Sequence, residues 1–481
     1  MKKLLHLSIA AILASSVTLS LPVYADKKAA EPAKAEESAN TGGDFKGFSV
    51  THTVGGKAQP ASEVDGDPLV LLGKLKADLA EQVKKGKPLE MTTEIKPVFS
   101  DKKTAKDLKD LPPLTVKTTV GADGKGVSDI SMPAYQKKDK DASLDWQGLT
   151  GTLSYPEDFS TISQSFEIAG LTFDSKDFKA TLDKTTFSAD LDETLYPTKL
   201  SLNLPSLVGG DDKSQFALSK IIVDFTGNKG ASGLELGKGD ISISDISVDN
   251  KAEESQVKLS DLSIKLDASE EKDLASYAMH FALGKLLITE QELDVSFVSD
   301  LEFRKLDVAA LLEVQKAAAE MRKQQMEGKM DESMMGMAMM GTLMQALPKL
   351  IAKSPEIALT KLNVKTSEGE LDGGFTISLD GSKPLKMDDP AALIAALSGK
   401  ADFTIDKALI EQIMWMQMAE GMGDQEMTEE QEKQMQTMID QQIESVVKEG
   451  FLAPAGEQFK LNATLKAGKL MVNGKEMPLP M

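Results

Sequence analysis

Apolar and polar positions alternate along most of the chain, with one recurring interruption. At Ile241, Ile243, Ile246 and Val248 the apolar residues stand at spacings of two, three and two. The same spacing returns as Phe166/Ile168/Leu171/Phe173, Ala180/Leu182/Thr185/Phe187 and Phe216/Leu218/Ile221/Val223. Three later copies are Val257/Leu259/Leu262/Ile264, Leu301/Phe303/Leu306/Val308 and Ile357/Leu359/Leu362/Val364. A spacing of two is the β-strand period, so each half presents its pair to one face of a sheet. The central three throws the second pair onto the other face unless one extra residue bulges out. Ser244-Asp245, Ser219-Lys220, Ala169-Gly170 and Thr360-Lys361 fill such centres and suit a bulge. The copies predict bulged strands in a mainly antiparallel sheet with one oily and one wet face. A further match, Phe281/Leu283/Leu286/Ile288, is set aside, because Ser269 to Leu286 reads as a helix.

Helical spacing marks the rest. Asp67-Pro68 opens a helix carrying Leu69, Leu72, Leu75, Leu79 and Val83, stopped by Gly86 and Pro88. From about 90 to 268 strands and turns alternate. A long helix starts near Val308 and runs into a methionine-rich stretch, where Gly336 and Gly341 predict a break or hairpin and Pro348 and Pro355 bracket the end. Strands follow at Ile357 to Val364 and Leu371 to Leu379, then a short helix from Ala391 capped by Asp389-Pro390. Thr428 to Gln431 has the form of a capping box before the stripe Met435, Met438, Ile439, Ile443, Val446 and Val447, closed by Gly450. Strands Phe459 to Leu465 and Lys469 to Val472 join through Ala467-Gly468. The expected fold is α+β and β-rich: an elongated twisted antiparallel sheet of repeated bulged strands, partly covered by Met-rich amphipathic helices. Its expected divisions are a signal peptide (1–25), a flexible linker (26–45), a β-rich repeat region (46–310), a Met-rich helical segment (311–352) and C-terminal strands and helices continuing the sheet (353–481).

Composition narrows the partners. The 481 residues carry 75 acidic and 55 basic side chains, a net charge of −20. That excess disfavours nucleic acid and broad docking on anionic headgroups. With no cysteine, disulfides, thiol catalysis and Cys-based metal sites are excluded. The start of the chain suggests a compartment. Lys2-Lys3 precedes an apolar run from Leu4 to Leu21, and Val23-Tyr24-Ala25 ends in a small-x-small site. This is the layout of a bacterial secretory signal cut after Ala25, which predicts a periplasmic protein. Removing Lys2 and Lys3 with the leader takes the net charge to −22. A retained membrane anchor is the competing expectation, since the run approaches the length of a span.

No catalytic constellation stands out. His52 and His280 have no sequence neighbour that suggests a triad, and Ser255-Gln-Val-Lys258 and Ser269-Glu-Glu-Lys272 lack the companion motif of a Ser-Lys enzyme. Gly121 to Gly126 reads as a hairpin turn. Acidic turns such as Asp190 to Glu193 and Asp211-Asp212 lack the ligand order of an EF-hand. The methionines invite two readings. Met337, Met340 and Met344 share a helix face and could offer three thioethers to Cu(I). No histidine accompanies them, and flexible methionines also make adaptable apolar surfaces, so that reading is preferred and no metal or cofactor is expected.

Ser354-Pro-Glu-Ile357 through Glu370-Leu371 resembles the central signature of the YdgA-like family of bacterial envelope proteins. Gly468-Lys-Leu470-Met-Val472-Asn473-Gly474 is similar to that family's closing strand and turn. The resemblance implies an envelope location and no catalytic residues. The repeating strands are also loosely similar to the grooved sheets of envelope lipid-transfer proteins. These observations predict a non-enzymatic periplasmic protein that binds an acyl lipid or an apolar segment of another envelope protein. The expected binding residues are Met334, Met337, Met340, Met344, Met414, Trp415 and Met418. The alternative is a structural or assembly protein acting by self-association or partner binding, and a hydrolase with an unseen site is a third reading.

Overall fold

The computed structural model describes residues 45–83, 87–193, 196–251, 254–291, 293–326, 329, 332–382, 390–420 and 428–478. The expected leader, nearly all of the linker, Gly86, Asp389 and the loop Gly421-Met-Gly423 lie outside the described residues. The chain divides into two compact units. One runs up to Gly227 and includes Lys316–Met339; the other comprises Asn228–Gln315 and Met340 onward.

In the first unit, β1 (Phe45–Val54) pairs antiparallel with the short β2 (Lys57–Ala58) and β3 (Ser62–Asp65). The helix α1 (Pro68–Gln82) follows as its spacing predicts, and β4 (Leu89–Phe99) returns along β1. Leu71 and Leu75 of α1 pack on Val50, Val64 and Ile95 of the sheet. A short helix, α2 (Lys102–Asp107), interrupts a stretch expected to be strands and turns alone; the Asp101 carboxylate accepts from the Thr104 amide at 2.7 Å. Then come β5 (Leu114–Val120), β6 (Gly126–Met132), β7 (Tyr135–Lys138), β8 (Ala142–Trp146) and β9 (Leu149–Tyr155). They continue through β10 (Thr161–Ile168), β11 (Leu171–Ser175), β12 (Lys179–Leu182), β13 (Thr185–Asp192), β14 (Pro197–Gly210) and β15 (Ser214–Lys229).

These strands fork. One ladder runs β6-β9-β10-β13 and another β7-β8-β11-β12, and both end on β14. The interrupted spacing sits at the fork. Ile168 closes β10 and Leu171 opens β11, with Gly170 between them at φ 149°. Leu182 and Thr185 divide β12 from β13 in the same way. Here the central gap hands the chain from one ladder to the other, where a single-residue bulge was expected. The apolar pairs on both sides converge on one core of Trp146, Leu149, Ile168, Leu171, Phe173 and Leu182. Thr185, the polar exception in the pattern, is buried too and donates its hydroxyl to the Asp183 carbonyl at 3.0 Å.

The second unit is a meander. β16 (Glu235–Asn250), β17 (Ser255–Glu271), β18 (Leu274–Ile288) and β19 (Leu293–Asp307) pair in chain order. Two helices follow, α3 (Val308–Met326) and α4 (Glu332–Ala352), each lending residues to both units. β20 (Glu356–Thr366) and β21 (Glu370–Leu379) extend the ladder from β19. After α5 (Pro390–Ala396), β22 (Leu397–Asp406) joins β21, and α6 (Lys407–Glu420) and α7 (Glu429–Glu449) come next. The chain ends with β23 (Ala453–Ala455), β24 (Gln458–Lys466) on β22, β25 (Lys469–Val472) and β26 (Lys475–Met477). Ala467-Gly468 and Asn473-Gly474, all with positive φ, make the tight turns of these last hairpins. The α+β, β-rich class is as expected.

Two expectations are overturned. Ser269 to Leu286 is not a helix but the end of β17, a turn at Lys272 (φ 61°), and most of β18. Its Ala, Leu and Met content favours a helix locally, but cross-strand apolar pairing outweighs that preference. Phe281, Leu283, Leu286 and Ile288 lie opposite Ile264, Leu262, Leu259 and Val257, so the copy set aside is a full member of the repeat. The break expected at Gly336 and Gly341 is also absent. α4 runs through both glycines and through Pro348 to Ala352, and each glycine faces open space. Isolated glycines cost a helix only about 1 kcal/mol apiece, too little to end one of 21 residues.

Candidate apolar binding site

In the second unit the repeat copies align into rows that cross the sheet. One row is Ile243, Leu262, Leu283, Phe297, Val364, Leu371, Ile405 and Phe459, each opposite the next. Another is Ala268, Tyr277, Phe303, Ile357 and Ile377. Bulges keep these rows on one face. The pairing shifts between Leu283 and Leu286, at Asp300/Leu301, and between Leu359 and Leu362; Asp261 and Lys305 take positive φ at the centres of their copies.

The opposite face is wet and carries cross-strand ion pairs. Lys238 meets Asp267 at 2.8 Å, Lys285 meets Asp294 at 2.8 Å, and His280 meets Asp300. His280, within the stretch expected to be a helix, stands on β18 and is partly exposed. Arg304 makes two such pairings: it donates to Glu302 at 2.6 Å and to Glu356 at 2.7 Å, while Lys305 reaches Glu356 at 3.1 Å. The guanidinium hydrogen bond, then Lys305, holds the Glu356 carboxyl below the usual glutamate value against the opposing effect of burial.

Among the described residues, helices pack on the oily face in two patches. Around Ala275 and Tyr277, α3 contributes Val308, Leu311 and Leu312. Around Ile405 and Phe459, α7 packs Met435, Ile439 and Ile443, with α6 beside it. Apart from these patches, several apolar side chains stay half-exposed: Ile357 and Ile377 are each 42% accessible, Val248 46% and Val257 43%. In the first unit the copies that build its core are buried, Ile168 to 4%, Leu171 to 3% and Phe173 to 1%. One sequence pattern thus closes a core around some copies and leaves others half-open.

The expected binding residues fall into two groups. Met414, Trp415 and Met418 on α6 pack with Met435, Ile439 and Ile443 of α7. Met414 and Met418 line a cleft of about 230 Å³ between the two helices, closed by Ile410, Ile443, Val446 and Leu452, with Gln417 and Gln442 as its amides. Met334, Met337, Met340 and Met344 on α4 point outward, at 43%, 70%, 52% and 60% accessible. The α4 set lines neither this cleft nor the polar trough described next. Sequence reasoning missed the half-exposed sheet positions Ile357, Ile377 and Phe303 as site residues. Their signal was the repeat itself, which was read as architecture.

Two polar features accompany this geometry. On the first unit, Ser131, Thr150, Thr152, Ser165, Thr186, Ser188 and Ser201 line an open trough of about 640 Å³ with Asp129 and Glu167, and Ile130, Phe166 and Phe187 give it apolar walls. His52, which has no sequence neighbour that suggests a triad, sits in a line: its Nε2 is 3.0 Å from Asp78 and its Nδ1 2.8 Å from the Thr93 hydroxyl. A nucleophile must reach its substrate, and Thr93 is 2% accessible. Because β1 carries His52, β4 Thr93 and α1 Asp78, the line pins the helix to the sheet. Among the described residues, no group of three or more His, Cys, Asp or Glu is placed to hold a metal ion. None of the described helices is long and apolar enough to cross a membrane.

No curated protein and no solved structure matches the chain. A family model described as a bacterial protein of unknown function (DUF945) matches residues 90–198 and 190–480, which span most of the chain. The YdgA-like resemblance is therefore carried as far as an uncharacterised bacterial family. The fold and its open apolar face stand in a chain that belongs to the bacterial family DUF945, whose function is unknown.

Proposed function

We propose that this chain is a non-enzymatic binding protein of the bacterial cell envelope that holds an acyl chain against the oily face of its second unit. The observation that carries the reading is the half-exposure of aligned apolar rows that the same sequence pattern buries elsewhere. Contiguous exposed apolar surface marks a site of interaction, and shedding its water onto a hydrocarbon chain is favourable by about 25 cal/mol per Å². The cleft between α6 and α7 takes the end of such a chain, since a dry cavity of about 150 Å³ already holds a benzene ring. The envelope location rests on the leader, and the finer placing among YdgA-like proteins rests on Ser354 to Leu371 and the closing turn.

The test is to extract the purified protein with organic solvent, then titrate it with a fluorescent long-chain fatty acid. Ile357→Lys and Ile377→Lys are expected to weaken binding about tenfold or more, because a buried ammonium must keep its water. Val127→Lys changes an exposed apolar residue of the first unit and is expected to leave binding unchanged. Absence of binding, or equal loss in all three variants, overturns the reading. A self-association that the face variants abolish would favour the assembly role instead.

A further inference from the structure

The thioethers of the chain differ sharply in access. Met435, Met91 and Met321 are buried, whereas Met337, Met340 and Met344 lie on one stripe of α4 at spacings of three and four and are mostly open to solvent. Ala346, on the opposite side of the helix, is buried, and Ile351, two turns past Met344, is buried where the stripe reaches the helix end. With no cysteine in the chain, these thioethers face no competition from thiols for two-electron oxidants.

We infer that the α4 stripe of Met337, Met340 and Met344 is an oxidation site, at which hypohalous acid converts exposed thioethers to sulfoxides and thereby shields the buried methionines. In the step with hypochlorous acid, the sulfur lone pair takes oxygen. The S–O bond forms, the O–Cl bond breaks, chloride leaves with two electrons and the hydroxyl proton passes to water. Sulfur is oxidised by two electrons and chlorine reduced by two. The product is polar and chiral, so a stripe of apolar side chains becomes a polar one without disturbing the core. Reduction by a sulfoxide reductase drawing on a thiol restores it. This inference stands apart from acyl binding, since no residue of the stripe is among those named in the open rows or the α6–α7 cleft.

The full chain would be titrated with limiting hypochlorous acid and each methionine read by peptide mass spectrometry. Met337, Met340 and Met344 are expected to gain oxygen about tenfold faster than Met435 and Met321, with the melting temperature unchanged until they are consumed. Methionine sulfoxide reductase should return them to thioethers. In the variant M337L/M340L/M344L, whose changes conserve volume on an exposed face, Met435 should oxidise at a lower dose than in the wild type. Even oxidation across all methionines, or an unchanged dose for Met435 in the variant, overturns the inference.

Discussion

Asp261 shows what the interrupted spacing demands of one residue. It sits between Ser260 and Leu262 at φ 54°, so that Leu259 and Leu262 meet Leu286 and Leu283 on the same face. Gly284 stands across from it, where an added Cβ would come within 2.8 Å of the Asp261 Cβ. The left-handed conformation costs an ordinary L-residue about 1–2 kcal/mol, and aspartate tolerates it better than most. Asp261→Val is therefore expected to destabilise by about 1–2 kcal/mol although the position is exposed, and Asp261→Gly by much less. Urea denaturation of both variants measures the difference. Glu356 makes a second residue-scale prediction. Its folded carboxyl titrates below the unfolded value, chiefly through Arg304, so it contributes stability that is fully present above about pH 4.3 and lost as pH falls through the depressed folded value. Glu356→Gln should cost about 1–2 kcal/mol at neutral pH and nothing below that window, as thermal melts across pH would show.

At the scale of elements, α7 is the most fully specified helix. Thr428 accepts from the Gln431 amide at 3.3 Å, the Gln431 side chain accepts from the Thr428 amide at 2.8 Å, and Gly450 closes the far end at φ 95°. Its buried stripe then presses Met435, Ile439 and Ile443 onto Phe459. Cap and stripe differ in energy. Thr428→Ala should cost about 1 kcal/mol, whereas Ile439→Ala, which empties a fully buried site, should cost about 2–5 kcal/mol. Differential scanning calorimetry distinguishes the two, and equal costs would mean that α7 does not pack as described. By contrast α4 shows an element that sequence misassigns. Gly336 and Gly341 signal a break, yet no competing contact rewards one, and backbone hydrogen bonds carry the helix past them.

At the scale of the molecule, two units share one repeating pattern and treat it differently. In the first, the gap at Ile168/Leu171 and Leu182/Thr185 is where strands fork, and apolar pairs from both ladders close on each other. In the second, the gap is absorbed as bulges within long strands, and among the described residues helices pack on two patches of the ladder's oily face. A ligand that fills the remaining face should raise stability along with occupancy, by about 2.7 kcal/mol at a hundred times its dissociation constant. The fatty-acid titration proposed above reads this directly when repeated as a thermal shift.

The sequence alone determined the β period, the recurring gap, the helix at Pro68, the capped helix after Thr428 and the Ala467-Gly468 turn, because each rests on local spacing or backbone chemistry within a few residues. It also singled out Met414, Trp415 and Met418, which pack on α7, and Met414 and Met418 line the cleft between the two helices. Only the tertiary structure decided that Ser269 to Leu286 pairs as strand, that Thr185 is buried, and that Ile357 and Ile377 remain open while Phe173 is sealed. The spacing of an apolar residue tells which face of its own element it occupies. Whether that face meets a second layer depends on partners far away in the chain, which local pattern does not encode.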